Sequence, residues 1–436
     1  MPMLSKTTCA FARRAIHTSL SHKRRSHSVY AWGTSAKGTI PLPEIIDGAV
    51  NGSSGGGILS SSGQKFDVPR KVDTQNAFAV EGKSISGIKQ MVCGPKSTAA
   101  IMEDGSCFTF GSNENGQLGH GDKVDALKPK LLEVPESSPL SQSGVSKISI
   151  GSNFSAIIDT NGDLYSFGFG GSALSGMGCL GHGDAESYLT PKLVESLVED
   201  GCYASQVEVG ELHMTVLTTE GEVLTCGSGA YGRLGNLDTI DQLYLEPVEL
   251  LAGIECVQIC SGHAFSLALA KDGIIHSWGR NDKGQLGVGA SLSVDVYAMA
   301  AMPAPIETQL EGRVVKKIAA GHSHAAAITE DGALFMWGSG EFLEPQLFPN
   351  LLHTEVVDIA CGENYTVALT KDGELYTLGK GKTGVLGLAS LKKANEPTRV
   401  EGLKGEKVVS ISAGWKHFAC LTEEVVSKKA EATAVE

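Results

Sequence analysis

The chain has 436 residues, of which 42% are hydrophobic, 19% are charged and 54 are glycine. This hydrophobic content excludes general disorder, and no apolar run reaches the roughly 18 residues of a membrane-spanning helix. The net charge of −13 includes +6 from residues 1–27, which leaves −19 for the rest of the chain. An acidic body disfavours nucleic-acid binding through phosphate contacts.

Residues 1–27 have the composition of a targeting sequence. They contain six basic residues and no acidic residue, and the first acid of the chain is Glu44. Such a segment is typical of a mitochondrial or plastid transit peptide, and in mitochondria an anionic receptor and membrane and the membrane potential attract it. We therefore expect a mitochondrial protein, in the matrix or associated with the inner membrane. The alternative is nuclear localisation through Lys23-Arg24-Arg25.

One unit of four short strands recurs seven times between residues 28 and 422. Each copy has a first element that reads Gly-x-x-[polar or aromatic]-x-x-x-[Leu/Ile], and its glycine recurs at Gly94, Gly151, Gly210, Gly262, Gly321, Gly362 and Gly414. An acidic residue or Asn followed by Gly comes after the second strand, as in Asp104-Gly105, and we interpret it as a two-residue hairpin turn with two positive φ angles. A proline is expected to open the fourth strand, at Pro69, Pro129, Pro191, Pro247, Pro305, Pro345 and Pro397.

Five copies also carry a Gly-x-Leu-Gly turn after the third strand. These turns lie at residues 116–119, 178–181, 232–235, 284–287 and 384–387. Seven units of four strands predict an all-β, seven-bladed propeller. Residues 414–421 lack the second half of their unit, and Val29–Gly33 with the strand at Pro69 would supply it. The sequence thus predicts a ring closed by pairing the two chain ends in one blade.

These units resemble the repeats of the family named after the regulator of chromosome condensation. Units such as that from Asp272-Gly273 through Trp278-Gly279 to Gly284-Gln285-Leu286-Gly287 match the family's repeat almost letter for letter, and the resemblance covers roughly residues 28–422. It implies the seven-bladed fold. It does not fix the function, because members include an exchange factor for the small GTPase Ran, an ultraviolet-B receptor, ubiquitin ligase scaffolds and mitochondrial assembly factors.

Three places depart from the repeat. The unit at Ser339–Leu343 lacks the Gly-x-Leu-Gly turn, and the N-terminal unit replaces it with Gly38–Pro41 and a Gly/Ser-rich loop at about 47–65. Residues 169–177 enlarge a third loop. Because loops on a rigid scaffold commonly carry binding function, these departures are candidate interaction sites, with neutral length variation as the alternative.

Two kinds of motif suggest chemistry but fit the repeat better. The Gly-x-Gly-x-x-Gly runs at 227–232 and 379–384 are followed by a turn, whereas a dinucleotide site requires a helix there. His213, His324 and His417 share one repeat position and are interpreted as structural. The sequence therefore predicts no catalytic, cofactor-binding or metal-binding residue, and it identifies no partner-binding residue.

The predicted organisation is a targeting segment at 1–27, a propeller at 28–422 and a polar tail at 423–436. The predicted function is a non-enzymatic mitochondrial scaffold for protein partners, in respiratory-complex assembly or in mitochondrial ribosome or RNA biogenesis. The alternative is a guanine nucleotide exchange factor for a small GTPase, which would need no catalytic motif of its own. The expected partners are accordingly a mitochondrial assembly intermediate or a small GTPase.

Overall fold

A computed structural model describes residues 27–41, 64–80, 86–289, 298–351 and 354–423. The predicted targeting segment, except for its last residue, and most of the Gly/Ser-rich loop lie outside these ranges. The tail also lies outside them, apart from Glu423. Seven four-stranded antiparallel sheets are described, which confirms the predicted propeller.

Blades 1 to 3 follow one another along the chain. Blade 1 consists of β3 (Ile88–Cys93), β4 (Ser97–Met102), β5 (Cys107–Gly111) and β6 (Ala126–Leu131). Blade 2 consists of β7 (Val145–Ile150), β8 (Phe154–Asp159), β9 (Leu164–Gly168) and β12 (Tyr188–Leu193), with a small hairpin of β10 (Gly171–Ser172) and β11 (Gly176–Met177) before its last strand. Blade 3 consists of β13 (Ala204–Val209), β14 (His213–Thr218), β15 (Val223–Gly227) and β16 (Gln242–Pro247).

Blades 4 to 6 repeat this order. Blade 4 consists of β17 (Cys256–Ser261), β18 (Phe265–Ala270), β19 (Ile275–Arg280) and β20 (Met299–Pro305). Blade 5 consists of β21 (Val315–Ala320), β22 (His324–Thr329), β23 (Leu334–Gly338) and β24 (Phe342–Leu347). Blade 6 consists of β25 (Val356–Cys361), β26 (Tyr365–Thr370), β27 (Leu375–Lys380) and β28 (Lys393–Arg399). Short helices connect some blades, at α1 (Thr74–Ala77), α2 (Leu140–Ser143) and α3 (Glu195–Glu199).

Blade 7 joins the two ends of the chain. Its strands are β29 (Lys407–Ala413), β30 (His417–Glu423), β1 (His27–Ser35) and β2 (Gln64–Lys71), in that order from the centre outward. β1 pairs with β30 over seven residues, from His27 opposite Glu423 to Gly33 opposite His417. The predicted closure is confirmed, and it leaves neither chain end as an unpaired inner edge.

The hairpin turns differ from the two-residue turns that the sequence suggested. Met102 N donates to Ser106 O at 2.9 Å and Gly105 N donates to Met102 O at 3.0 Å, so the loop has three residues. Gly105 has a φ of 83°, whereas Asp104 is not among the residues with positive φ. This is a type I turn followed by a left-handed glycine, and only the glycine needs positive φ. The Asp104 carboxylate instead accepts the Ser106 N–H at 3.0 Å.

The prolines also lie elsewhere than predicted. Pro191 is the fourth of six residues in β12, and Pro247 and Pro305 end their strands. The register of β12 against β9 shifts between Tyr188 and Lys192, around Pro191. A proline is tolerated there because a bulge on an outermost strand needs no ladder hydrogen bond at that residue.

Each Gly-x-Leu-Gly turn packs between two blades. Its leucine is buried, and the leucine carbonyl accepts a hydroxyl hydrogen bond from the third strand of the same blade, as from Thr109 to Leu118 at 2.7 Å. The preceding carbonyl accepts from the next blade, as from Trp278 Nε1 to Arg233 O at 2.9 Å. The turns therefore fasten neighbouring blades to one another with both apolar and polar contacts.

Candidate protein-binding face

One face of the ring carries all connections from first to second strands and from third to fourth strands; we call it the loop face. This follows from the antiparallel order within each blade, because alternate connections of a meander emerge at the same end. The three departures from the repeat are all connections between third and fourth strands. The described parts of these connections consequently lie on one face.

The mouth of the central channel on this face holds an aromatic and histidine cluster. The rings of His263 and His322 lie 4.3 Å apart, and the Trp415 ring lies 5.2 Å from His322 and 6.1 Å from His263. His263 Nε2 also lies 3.1 Å from a carboxylate oxygen of Glu211. The four side chains come from three successive blades and from blade 7, across the channel. Their arrangement gives a half-buried surface with flat rings and one carboxylate, suited to contacts with a protein partner.

The repeat itself places these residues. Each directly follows the glycine that ends a first strand, and that glycine has no room for a side chain. A Cβ on Gly262 would lie 1.9 Å from Phe265 Cε1, because the ring three residues later packs on the glycine. Because the connection from the first to the second strand is this tight, only the residues between the glycine and the packed ring can face the channel mouth. His263 and Trp415 therefore occupy equivalent places in their blades.

The protonation of the cluster is set by its surroundings. Burial lowers the pKa of His322 to about 4, so its ring is neutral near pH 7. Burial acts to raise the pKa of Glu211, but the hydrogen bond and charge of His263 outweigh it, and the net pKa lies below its ordinary value. Deeper in the channel, burial raises the pKa of Glu208 to about 7. The mouth thus presents an ionised carboxylate on Glu211 and a neutral imidazole on His322.

A second group of charged and aromatic side chains lies on blades 3 and 4. Arg280 pairs with Asp282 at 2.8 Å and stacks 4.8 Å above the Tyr231 ring centroid. Arg233 approaches the same ring at 5.6 Å. Tyr231 has a φ of 62°, a left-handed conformation that is costly for a non-glycine residue. The stacked arginines hold the ring in this position at the surface.

The hairpin β10–β11 projects an apolar side chain from the loop face. Leu174, in its turn, is fully exposed. Asp241 anchors the hairpin, since its carboxylate accepts from Met177 N and from Gly229 N, both at 2.9 Å. Close to Asp241 in the chain, Leu237 and Ile240 are 66% and 68% exposed.

The histidine and glycine motifs that suggested chemistry are structural parts of the propeller. His213, His324 and His417 are buried in three different blades, and each Nε2 lies 2.8–3.0 Å from a hydroxyl of the following blade. The glycine runs at 227–232 and 379–384 lead into turns, with Gly384 N donating to Gly381 O at 2.9 Å. Across the described ranges, no group of three or more metal-ligating side chains occurs. No helix in those ranges could cross a membrane.

Comparison with known families agrees with this geometry. Residues 198–427, more than half of the chain, match the RCC1-like domain, and residues 104–158 and 161–217 match the regulator of chromosome condensation repeat. The chain belongs to the RCC1-like family. The predicted family membership is therefore confirmed.

The similar proteins have diverse names. The chain is 30% identical over 376 residues to human E3 ubiquitin-protein ligase HERC2, covering 86% of this chain and 6% of that protein. It is 32% identical to Ultraviolet-B receptor UVR8 of Arabidopsis thaliana over 59% of this chain and 55% of the receptor. It is 31% identical to the bovine Secretion-regulating guanine nucleotide exchange factor over 57% of this chain and 51% of that factor. The chain thus spans about half, or much less, of these relatives.

Solved structures share the fold of this RCC1-like chain. The crystal structure of human WBSCR16 superposes with a TM-score of 0.76 at 23% identity, covering 92% of this chain and all of the other. Prp20p of Saccharomyces cerevisiae, described with its binding to Gsp1p and histones, gives 0.75 at 21% identity and 94% of each chain. At these identities, the likeness shows the fold alone.

The motifs in the sequence do not predict the cluster at the channel mouth. Glu211, His263, His322 and Trp415 lie up to 204 positions apart in the sequence. Their shared place, one residue after the first-strand glycine, is visible once the repeats are aligned. In an RCC1-like propeller, residues at the same repeat position lie in one ring around the channel. The repeat alignment is therefore the sequence signal that predicts the cluster.

Proposed function

We propose that this chain is a non-enzymatic mitochondrial scaffold that binds a protein partner through its loop face. The acid-free residues 1–27 support the compartment, and the RCC1-like propeller supports a binding role. The partner class that fits a mitochondrial scaffold is an assembly intermediate of a respiratory complex, or a component of mitochondrial ribosome or RNA biogenesis.

The distribution of exposed apolar side chains carries this proposal. Among the described residues, four large hydrophobic side chains are more than 60% exposed: Val124, Leu174, Leu237 and Ile240. All four lie between a third and a fourth strand, and therefore on the loop face. Apolar residues gathered on one face next to a polar, aromatic mouth are typical of a protein-binding surface.

Proximity labelling in cells tests the proposal. The full chain, fused to a labelling enzyme, is compared with the double variant Leu174→Asp/Ile240→Asp. The control is Ile274→Asp, since Ile274 is 44% exposed and follows a hairpin turn on the opposite face. We expect a set of mitochondrial neighbours that the double variant loses and the control keeps. Identical neighbours for all three proteins would contradict a loop-face partner.

Exchange activity is a second candidate, favoured by the hairpin β10–β11. An anchored hairpin with the exposed Leu174 at its turn could enter the nucleotide site of a GTPase and distort it. The names of two similar proteins, the bovine exchange factor and Prp20p with its partner Gsp1p, support this candidate. The test is release of fluorescent GDP from purified mitochondrial small GTPases. Acceleration at substoichiometric protein that Leu174→Asp abolishes would favour exchange, and an unchanged release rate would count against it.

A further inference from the structure

The short unit of blade 5 leaves a groove at the junction with blade 6. Only three residues separate β23 from β24, so the connection has no Gly-x-Leu-Gly turn. The groove has a volume of about 190 Å³, and Met336, Phe342, Thr366, Leu378 and Asn395 are among its lining residues. An apolar cavity of roughly 150 Å³ accommodates a benzene-sized group, so the groove can take a large side chain.

The lining residues are equivalent to those that hold the turn at other junctions. At the junction of blades 4 and 5, the first glycine of the turn, Gly284, packs on Leu343, and the last, Gly287, packs on Trp337. In blade 5, Leu343 is the residue after Phe342, which pairs with Gly338 of the third strand. In blade 6, Asn395 holds the equivalent place, directly after the residue that pairs with Gly379. Trp337 precedes the glycine of its own third strand, as Leu378 does. The groove is therefore the place that a leucine turn occupies elsewhere in the ring.

Blade 5 also lacks the third-strand hydroxyl that donates a hydrogen bond to the Gly-x-Leu-Gly turn in other blades. Five blades with the turn have a Ser or Thr on the third strand that donates to the leucine carbonyl. Blade 5 has Met336 at this position, and blade 7, which also lacks the turn, has Ala31. In blade 7, however, the buried Ile40 takes the place of the leucine, and Thr98 donates to Thr39 O at 2.8 Å. Among the described residues, blade 5 has no side chain that takes the place of the turn leucine. With Met336 in place of Ser or Thr, the groove wall formed by blade 5 is more apolar than the same surface in the five blades with the turn.

The rim of the groove is basic. Lys380 and Lys393 are directly opposite each other on β27 and β28, which is unfavourable for like charges. Glu341 lies 3.4 Å from Lys380, whereas no carboxylate in the described ranges pairs with Lys393. An acidic residue on an incoming segment would relieve this repulsion.

We propose that the groove between blades 5 and 6 binds a leucine-bearing turn of a partner protein, with an acidic residue beside the leucine. The leucine would pack on Leu378 and Met336, and the acid would pair with Lys393. This site rests on the proposed protein-binding role but is separate from Leu174 and the channel mouth. A loss of peptide binding would leave the labelling result for the loop face unchanged, so the two proposals fail independently.

The probe is a fluorescein-labelled peptide of residues 112–122 of this chain, which contains Gly116–Gly119 and the acids Glu114 and Asp122. Fluorescence anisotropy with the full-length protein should show saturable binding. Replacing Leu118 in the peptide by Ala should weaken it by at least about tenfold, because a buried leucine contributes strongly to binding. Absence of saturation up to about 1 mM peptide, or equal affinity of both peptides, would overturn the proposal.

Variants of the protein locate the site. Asn395→Trp narrows the groove from an exposed position and should abolish binding. Lys393→Glu should weaken it by about two- to fivefold, whereas the matched control Lys392→Glu, exposed but outside the lining, should leave it unchanged. Binding that persists in Asn395→Trp would contradict the assignment. Binding that appears only after deletion of residues 424–436 would assign the groove to the chain's own tail and would also overturn the proposal.

Discussion

The indole Nε1 of Trp32 donates a hydrogen bond to the carbonyl oxygen of Val385 at 2.8 Å, across 353 positions of sequence. Trp32 is completely buried and lies on β1, while Val385 lies in the Gly-x-Leu-Gly turn of blade 6. The same bond joins Trp337 to Gln285 and Trp278 to Arg233. Blade 7, although assembled from both chain ends, is thus held to blade 6 by the contact that fastens ordinary blades.

Replacing Trp32 by Phe should lower the free energy of unfolding by about 1–3 kcal/mol, because the buried Val385 carbonyl loses its donor. Urea unfolding of the purified protein measures the change. The control is Trp415→Phe. Because Trp415 is half-buried at the channel mouth, this substitution should lower the free energy of unfolding by less than about 0.5 kcal/mol. Equal effects of the two substitutions would mean that the hydrogen bond contributes little.

Deleting residues 1–34 should destabilise the protein far more than deleting residues 1–27. The seven additional residues include Val29 and Trp32, both fully buried, and burial of each large apolar side chain contributes about 1.5–3 kcal/mol. Their loss also removes the strand between β2 and β30. Thermal melts compare the two truncations with a third that lacks residues 424–436, for which we expect little change. Similar melting temperatures for the first two would contradict closure through β1.

Acidification should destabilise the folded ring through its buried histidines. Burial lowers the pKa of His324 and His417 to about 4, below the value of about 6.5 in an unfolded chain. Below pH 6.5 the unfolded state therefore binds more protons, and each such histidine removes about 1.4 kcal/mol per pH unit until pH 4. Urea unfolding between pH 7.5 and 4.5 should show a shallower pH dependence for His417→Gln. A slope equal to that of the wild type would exclude this role for His417.

Alanine substitutions at two glycines with similar backbone conformation distinguish the cost of backbone strain from the cost of a steric clash. Gly273 and Gly253 have φ angles of 87° and 80°, but a Cβ on Gly273 would lie 2.6 Å from Val314 Cγ1, whereas Gly253 has no atom within 4 Å. Alanine at Gly253 should cost about 1–2 kcal/mol from the left-handed backbone alone. Alanine at Gly273 should cost more, as measured by chemical unfolding. Equal costs would show that Val314 and the Val315 backbone nitrogen, 2.9 Å from such a Cβ, move aside freely.

The localisation prediction is tested with reporters. Residues 1–27 fused to a fluorescent protein should enter mitochondria, while a fusion of the chain from residue 28 should remain in the cytosol. Microscopy with a mitochondrial marker distinguishes the outcomes. Accumulation of the first fusion in the nucleus would favour the alternative signal at Lys23-Arg24-Arg25.

The sequence was sufficient for features that repeat within each blade. Blade number, the strand at Val29–Gly33 and the missing turn after Gly338 all follow from aligning the copies. Asp104-Gly105 was misassigned because the dipeptide is compatible with loops of two or three residues, and only the strand register decides between them. The repeat register places Trp415 and His263 in one ring around the channel, but their contact across the ring depends on blade geometry, which no motif in the sequence encodes.

Blade 7 also imposes an order on biosynthesis. β1 is made first, yet its partner β30 begins at His417, 390 positions after His27. At about 5–20 residues per second, the ribosome needs roughly 20–80 s to synthesise the intervening chain. During that interval Val29 and Trp32 are without the strand that later covers them, so the newborn chain carries an uncovered apolar segment until the last blade is complete. Chaperones that recognise short extended apolar segments would find their target there, and premature release would expose it to aggregation.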